Sequence, residues 1–430
     1  MIRERKLTSP QFAAGQTIAI DLPRDAVYHT LQIKLDGNVS IAYPAGGVGA
    51  GAVSTAFAQG FPFNLISRLR LIRNGSDVVW SGSGKQLAKE GMCLNGVFAF
   101  ARMWVDNIVN GTGTAGAILT KAVKGLTVPA NSEGIGANVA AFTDPSVAAA
   151  VGATTNQIDF SCMLELWLSL GVEDKFFASL LDARELASFQ LEITWESMAN
   201  IIAAGGQPGN PAVITPSVTC SVQSYDQDNL SLKIPFSTFK RASFQPPGLA
   251  YNSSQIQALL PRGNLYLGVL METLGYKSAG GSFGATPTIP EPGNDIVGEI
   301  QNRINSNYML RDVFFKDLQA KDKNDGHCPF NPYDPLGAMP EGWALLYFPC
   351  TDDSIKSLVA SYQMDQFDLL LQTIAVSGVA TADGNTYQNG TVPIVNILTQ
   401  EVIPGKTVNP AGSRGAFAGS ISATSAKPGA

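Results

Sequence analysis

Alternation of apolar and polar positions dominates this sequence. Leu31, Ile33 and Leu35 alternate with Thr30, Gln32 and Lys34. Phe160, Cys162, Leu164, Leu166, Leu168 and Leu170 occupy every second position of their segment. Phe189, Leu191, Ile193 and Trp195 do the same against Gln190, Glu192, Thr194 and Glu196. Side chains along a strand point to opposite faces in turn, so each run predicts a strand with one face on a core. Asn74-Gly75, placed after Leu69 and Leu71, is a hairpin signal, because both residue types tolerate the positive φ of a tight turn.

Helical periodicity is confined to two short stretches. Segment 173–187 (EDKFFASLLDARELA) groups Phe176, Phe177, Leu180, Leu181 and Leu186 near one side. Its two leading acids suit the positive end of a helix dipole. Segment 352–364 (DDSIKSLVASYQM) groups Ile355, Leu358, Val359 and Tyr362, with Thr351 as the N-cap. Each predicted helix follows an apolar strand (163–170; 343–350) and precedes another (189–195; 367–374). The same cassette thus occurs twice, about 180 residues apart.

A looser match sets 64–69 (NLISRL) against 307–312 (NYMLRD), about 240 residues apart. The two spacings differ by about 60 residues, an excess that coincides with the Gly/Ala/Thr-rich stretch 107–156, predicted to be a long loop. Repetition at half-chain length predicts two copies of one β domain. The Gly/Pro-rich segment 203–214 reads as the linker between them, giving a first domain over 16–202 and a second over 215–404. Segments 1–15 and 405–430 flank these domains, the latter as a flexible tail; 278–293 is a second Gly/Pro-rich loop.

Composition narrows the function. Hydrophobic residues make up 45% of the 430 residues, which is ample for sizeable cores. Charged residues are 15%, against roughly 25% in an average soluble domain. The net charge of -6 argues against a nucleic-acid binder built on a basic face. Two histidines, His29 and His327, cannot supply a multi-histidine metal centre. The five cysteines (Cys93, Cys162, Cys220, Cys328 and Cys350) include no CxxC pair; Cys162, Cys220 and Cys350 lie in apolar stretches and read as small buried hydrophobes. The first residues lack the apolar core of a signal peptide, and no apolar run is long enough for a membrane span.

Segment 63–77 (FNLISRLRLIRNGSD), followed by Val79-Trp80-Ser81-Gly82, together with the twice-occurring cassette and the basic N-terminal segment, resembles the double jelly-roll major capsid proteins of the tectivirus–adenovirus lineage. The resemblance extends over about residues 16–402, as a pattern and not as one diagnostic motif. It implies an all-β chain of two tandem eight-stranded jelly-roll β-sandwiches, each with a short flanking helix. It further implies homotrimeric, pseudo-hexagonal capsomers that tile an icosahedral shell with neighbouring capsomers, penton and minor capsid proteins. The expected location is the virion, after assembly in the host cytoplasm. Segments 107–156 and 278–293 would build towers or inter-subunit contacts, and 1–15 would lie at the inner face. There Arg3, Arg5 and Lys6 would touch an internal membrane or the genome.

Candidate chemistry is weak by comparison, and no catalytic, cofactor-binding or metal-binding residue is predicted. Segment 47–52 (GVGAGA) fits a relaxed dinucleotide fingerprint but lacks the following helix on which a pyrophosphate would sit. Segment 81–86 (SGSGKQ) resembles a phosphate loop, yet lacks its first glycine and carries Gln86 where Ser or Thr must hold magnesium, so it reads as a turn. Asp352-Asp353 is explained by a first helical turn, and His327-Cys328 by a turn between Gly326 and Pro329. Glu165, Glu192 and Glu196 could line a concave sheet and cleave a sugar if two of them converge. Asn38, Asn74, Asn110, Asn252 and Asn389 each open an N-x-Ser/Thr sequon and read as turn residues. The rival functions are therefore a carbohydrate-binding or carbohydrate-active β-sandwich and a trimeric spike or adhesin.

Overall fold

The computed structural model describes residues 2–43, 56–57, 61–95, 104–110, 119–121, 154–168, 181–203, 206–207, 210–211, 213–227, 239–253, 255–276, 290–305, 308–324, 341–348, 359–381 and 386–403. The alternating runs become strands, and the strands build two sandwiches with the same plan.

In the first barrel one sheet has the order Thr17–Asp21, Phe189–Trp195, Ile66–Arg73, Asp77–Gly82. The other has the order Ile2–Lys6, Val213–Gln227, Val27–Tyr43, Thr154–Trp167. Two further strands, Trp104–Asn110 and Leu119–Lys121, extend it past Thr154–Trp167. The second barrel repeats the plan. One sheet runs Ile256–Leu259, Phe367–Thr373, Val297–Ile304, Tyr308–Phe314. The other runs Phe239–Phe244, Ile394–Val402, Leu265–Gly275, Trp343–Tyr347. Each barrel thus has eight equivalent strands in two sheets, the expected double jelly roll.

Each pair of sheets closes over its own core. Leu31, Ile33 and Leu164 from one sheet meet Leu69, Leu191 and Ile193 from the other in the first barrel. Val269, Met271 and Ile397 meet Ile300, Leu369 and Leu371 in the second.

A corner at one end of each barrel is duplicated bond for bond. Leu22-Pro23-Arg24 and Tyr28 reappear as Leu260-Pro261-Arg262 and Tyr266, 238 positions on (28 to 266). Each tyrosine hydroxyl donates to the proline carbonyl at 2.6 Å. Each ring meets a phenylalanine edge-on, Phe189 at 5.1 Å and Phe367 at 4.9 Å. Each arginine donates to two successive carbonyls just before that phenylalanine, those of Leu186 and Ala187 or of Met364 and Asp365. A hairpin turn completes each corner: Asn74 (φ 52) and Asn305 (φ 53) adopt the left-handed conformation, and their side-chain oxygens accept from Ala187 and Asp365.

Several expectations change. The described part of 173–187 is the short strand Leu181–Asp182 followed by turns, not a helix; 173–180 lies outside the described residues. Likewise the described part of 352–364 is the strand Val359–Ala360 and a 3-10 turn, Ser361–Gln363; 352–358 lies outside. Leu181 and Ala183 are buried beneath the corner, so their apolar character serves an extended segment. The flanking helices described here are instead Gly84–Asn95 and Phe315–Asn324, one per barrel and each directly after a hairpin.

The strand–hairpin–helix unit repeats at 231 positions (66 to 297, 77 to 308, 84 to 315). The 64–69/307–312 match therefore paired a strand with the one after its true counterpart. The cassette spacing holds at 178 positions (189 to 367). The fall from 231 to 178 places 53 extra residues in the first half, between Asn95 and Phe189.

The expected linker 203–214 also moves. Val213–Gln227 is a strand of the first barrel, and its Val218, Cys220 and Val222 belong to the first core. The second barrel begins with Phe239–Phe244, so the passage between barrels falls within 228–238. The segment 1–15 is likewise part of the first barrel, since Ile2–Lys6 pairs along Val213–Gln227. The tail 405–430 and the bulk of 107–156 and 278–293 lie outside the described residues.

Candidate functional site: the joint between the barrels

The two barrels are not merely tethered. Phe239–Phe244 of the second lies parallel to Asp77–Gly82 of the first, with Arg241 opposite Trp80 and Ala242 opposite Ser81. One sheet therefore runs from one barrel into the other. Helix Gly84–Asn95 is anchored at this seam by its own N-terminus. The Ser83 hydroxyl accepts from the Gln86 amide at 3.2 Å, and the Gln86 side chain accepts from the Ser83 amide at 2.8 Å. This reciprocal capping box satisfies two backbone donors that a helix start leaves open. The segment SGSGKQ is thus a strand end and a helix cap, not a turn.

Capping aims the helix side chains across the joint. Arg241, 2% exposed, forms an ion pair with Glu90. Glu90 also accepts from Trp80 Nε1 at 3.0 Å, and Arg241 donates to the Trp167 carbonyl at 2.8 Å. Burial pushes the Glu90 carboxyl up and the Arg241 guanidinium down, and each charge opposes the shift of the other. Beside them Gln86 Nε2 donates to Ser243 Oγ at 2.7 Å. Lys85 Nζ sits 2.6 Å from Glu272, and Lys89 lies over the Trp343 ring at 5.9 Å. A buried pair stripped of one partner leaves a bare charge in low dielectric, so this contact fixes the relation of the two barrels. A polar groove of about 570 Å³ opens alongside, lined by Arg68, Ser83 and Lys85 from the first barrel and Gln245, Glu272 and Asn396 from the second.

The residues singled out from sequence do not gather here or elsewhere. Glu165 and Glu192 stand on opposite sheets of the first barrel. Glu165 accepts from Gln32 and Trp167, Glu192 pairs with Arg70 at 3.0 Å, and Glu196 holds Ser197 and Asn200. Each is occupied locally, and no two converge on a common cleft. Cys162 and Cys220 are buried and unbridged, and burial raises both thiols, that of Cys220 to about 12. The Cys93, Cys328 and Cys350 side chains, His327, 47–52 and Asp352-Asp353 lie outside the described residues.

His29 is buried with Nε2 3.4 Å from Gln227 Oε1; desolvation lowers its pKa against the opposing pull of Gln227 and Asp226. Asn74, Asn252 and Asn389 sit in turns, Asn110 ends a strand, and Asn38 lies within Val27–Tyr43 and not in a turn. Of the basic N-terminal residues, Arg5 is held by Asp25 at 2.9 Å and lies 3.6 Å from Asp226, whereas Lys6 is exposed. Among the described residues there is no group of acids, cysteines and histidines suited to a metal ion, and no helix long and apolar enough to cross a membrane.

Neither a protein-family model nor a curated protein sequence matches the chain. Solved structures do. The major capsid protein of STIV superposes with a TM-score of 0.56 at 14% identity, covering 96% of this chain and 99% of that one. A chain in the atomic structure of Sulfolobus Turreted Icosahedral Virus gives 0.50 at 16% identity, covering 94% and 91%. PBCV-1 VP54 gives 0.51 at 10% identity, covering 94% and 93%. The fold is the double jelly roll of viral capsid proteins. In this double jelly roll the joint just described is where the two barrels share a sheet and pair charged side chains. Sequence reasoning missed it because Glu90 and Arg241 lie 151 positions apart (90 to 241) and only the fold brings them together.

Proposed function

We propose that this chain is the major capsid protein of a virus, assembling as homotrimeric, pseudo-hexagonal capsomers into an icosahedral shell. Its role is structural and needs no catalytic centre. The observation that carries the reading is the double jelly roll, shared with the STIV major capsid protein over 96% of this chain and 99% of that one. The low content of charged residues, 15% of the chain, supports it, since a subunit surrounded by neighbours buries much of its outer face. Neighbouring capsomers, penton and minor capsid proteins are its partners in the virion, assembled in the host cytoplasm. In the N-terminal segment proposed to reach an internal membrane or the genome, Arg5 is engaged by Asp25 and lies beside Asp226.

Light scattering during size-exclusion chromatography tests this directly. The expected species lies near three times 45.4 kDa, and electron microscopy of concentrated protein should then show hexagonal arrays or closed shells. A strict monomer over a wide concentration range overturns the proposal. Trimers that never form arrays transfer it to a spike or adhesin.

A further inference from the structure

The internal joint has an unfilled counterpart on the outside of the same chain. Tyr225 and Gln400 each precede an acid that stands opposite the corner tyrosine, so their strand partners Glu4 and Arg241 are equivalent positions. By the same register Lys6 is equivalent to Ser243. On the other side of the joint, the 231-position repeat makes Glu90 equivalent to Lys321, Gln86 to Asp317, Trp80 to Arg311 and Ser81 to Asp312. Within the chain, the first strand of the second barrel sits on the hairpin and helix of the first. Among the described residues, the outer edge of Ile2–Lys6 and that of Tyr308–Phe314, the equivalents of the two strands that meet at the joint, both lack a strand partner. The latter strand also exposes two large apolar side chains, Met309 at 46% and Phe314 at 60%.

We infer that a second copy of this chain seats its Ile2–Lys6 strand on the Tyr308–Phe314 edge and the Phe315–Asn324 helix, reproducing between subunits the joint that links the two barrels within one. Charge argues for it independently of shape. Glu4 then meets Lys321 where Arg241 meets Glu90, the same ion pair with its signs exchanged. Lys6 meets Asp317 where Ser243 meets Gln86, converting a neutral hydrogen bond into an ion pair.

The geometry is internally consistent. Glu4 and Lys6 are two apart on a strand and Asp317 and Lys321 four apart on a helix, so each couple presents one face. All four are exposed in the isolated chain. Arg5 falls opposite Asp312, whose carboxyl is raised chiefly by a hydrogen bond with Glu299 and so marks an acidic edge. One contact is not complementary: Lys85–Glu272 maps onto Lys316 and Lys34, and Asp36, 3.4 Å from Lys34, offsets that meeting. The contact is head-to-tail, which closes into a ring when the rotation permits. It rests on the capsomer reading and specifies which faces meet.

Charge exchange tests it on the full chain, with melting curves confirming that each variant folds. Glu4→Lys and Lys321→Glu alone should each raise the concentration needed for half-assembly by about tenfold or more, a change of about 1.4 kcal/mol. The double variant should return to within about threefold of the parent, as a coupled pair does in a mutant cycle. Cysteines at the Cα-paired positions, Glu4→Cys with Arg311→Cys, should link subunits covalently on oxidation, whereas either alone should not. A parent chain that never associates overturns the capsomer reading itself. A trimer indifferent to the reversals, not restored by the exchange, or not cross-linked by the paired cysteines overturns this interface alone.

Discussion

His29 shows how one residue can break a repeat at small cost. It occupies the bulge of its strand that Leu267 occupies in the second barrel, each skipped in the pairing beside the corner tyrosine. Leu267 carries no titratable group there, whereas burial disfavours the charged form of the imidazole. Its pKa lies below the ordinary 6.5 because burial opposes the charge, so the unfolded chain binds the proton first. Stability is therefore full above about pH 6.5 and declines as the pH falls toward the folded value. Replacing His29 with Leu should flatten the stability profile between pH 7 and about 5, measured by urea unfolding at each pH. A variant with the parental slope would assign that slope to other groups. The corner beside it was legible, since Leu-Pro-Arg and a tyrosine four residues on recur at fixed spacing. A reading based on alternation passes over it, because those residues act through backbone carbonyls and not through facial periodicity.

At the scale of elements, strands were read well and the helices Gly84–Asn95 and Phe315–Asn324 were missed, for one physical reason. A strand with one buried face leaves a period-two signature that needs no partner, as in Phe189–Trp195, whose burial alternates residue by residue. Gly84–Asn95 leaves a mixed signature because one side is held by its barrel and another by the second barrel: Gln86, Lys89 and Glu90 are all buried polar residues. The legible signal was the Ser83-x-x-Gln86 cap, hidden inside what resembled a phosphate loop. Replacing Ser83 with Ala should cost about 1 kcal/mol, visible as a lower denaturant midpoint. Because the helix aims Lys85 and Glu90 across the joint, the same variant should weaken association between barrels in limited proteolysis. Unchanged cleavage within 228–238 would show that the helix holds its place without the cap.

On the scale of the whole molecule, the two-barrel plan was legible from repetition, and the boundary was not. The Gly/Pro composition of 203–214 resembles a linker, yet the chain there turns back to supply Val213–Gln227 to the first barrel. Composition reports that a segment turns, not which core the next strand enters. What holds the halves together lies in tertiary contact. Arg241→Met should destabilise the chain by roughly 3–5 kcal/mol, since it leaves Glu90 buried without its counter-charge. Adding Glu90→Met should recover part of that loss, leaving Trp80 Nε1 and the Trp167 carbonyl without their partners. Denaturant titration of the three variants checks both statements. A single variant as stable as the parent would remove the ion pair from any account of the joint.

The buried pair has a consequence for fidelity. A chain made of two look-alike halves faces a parity problem in a crowded cell. The Asp77–Gly82 edge can be offered either the Phe239–Phe244 strand that belongs to it or an Ile2–Lys6 strand from another copy. The wrong choice sets Glu4 against Glu90, two carboxylates in a site where burial already disfavours one. The right choice brings Arg241. The Arg241–Glu90 contact thus acts as a check digit, rejecting a shuffled half by the sign of one charge before any larger assembly can propagate the error.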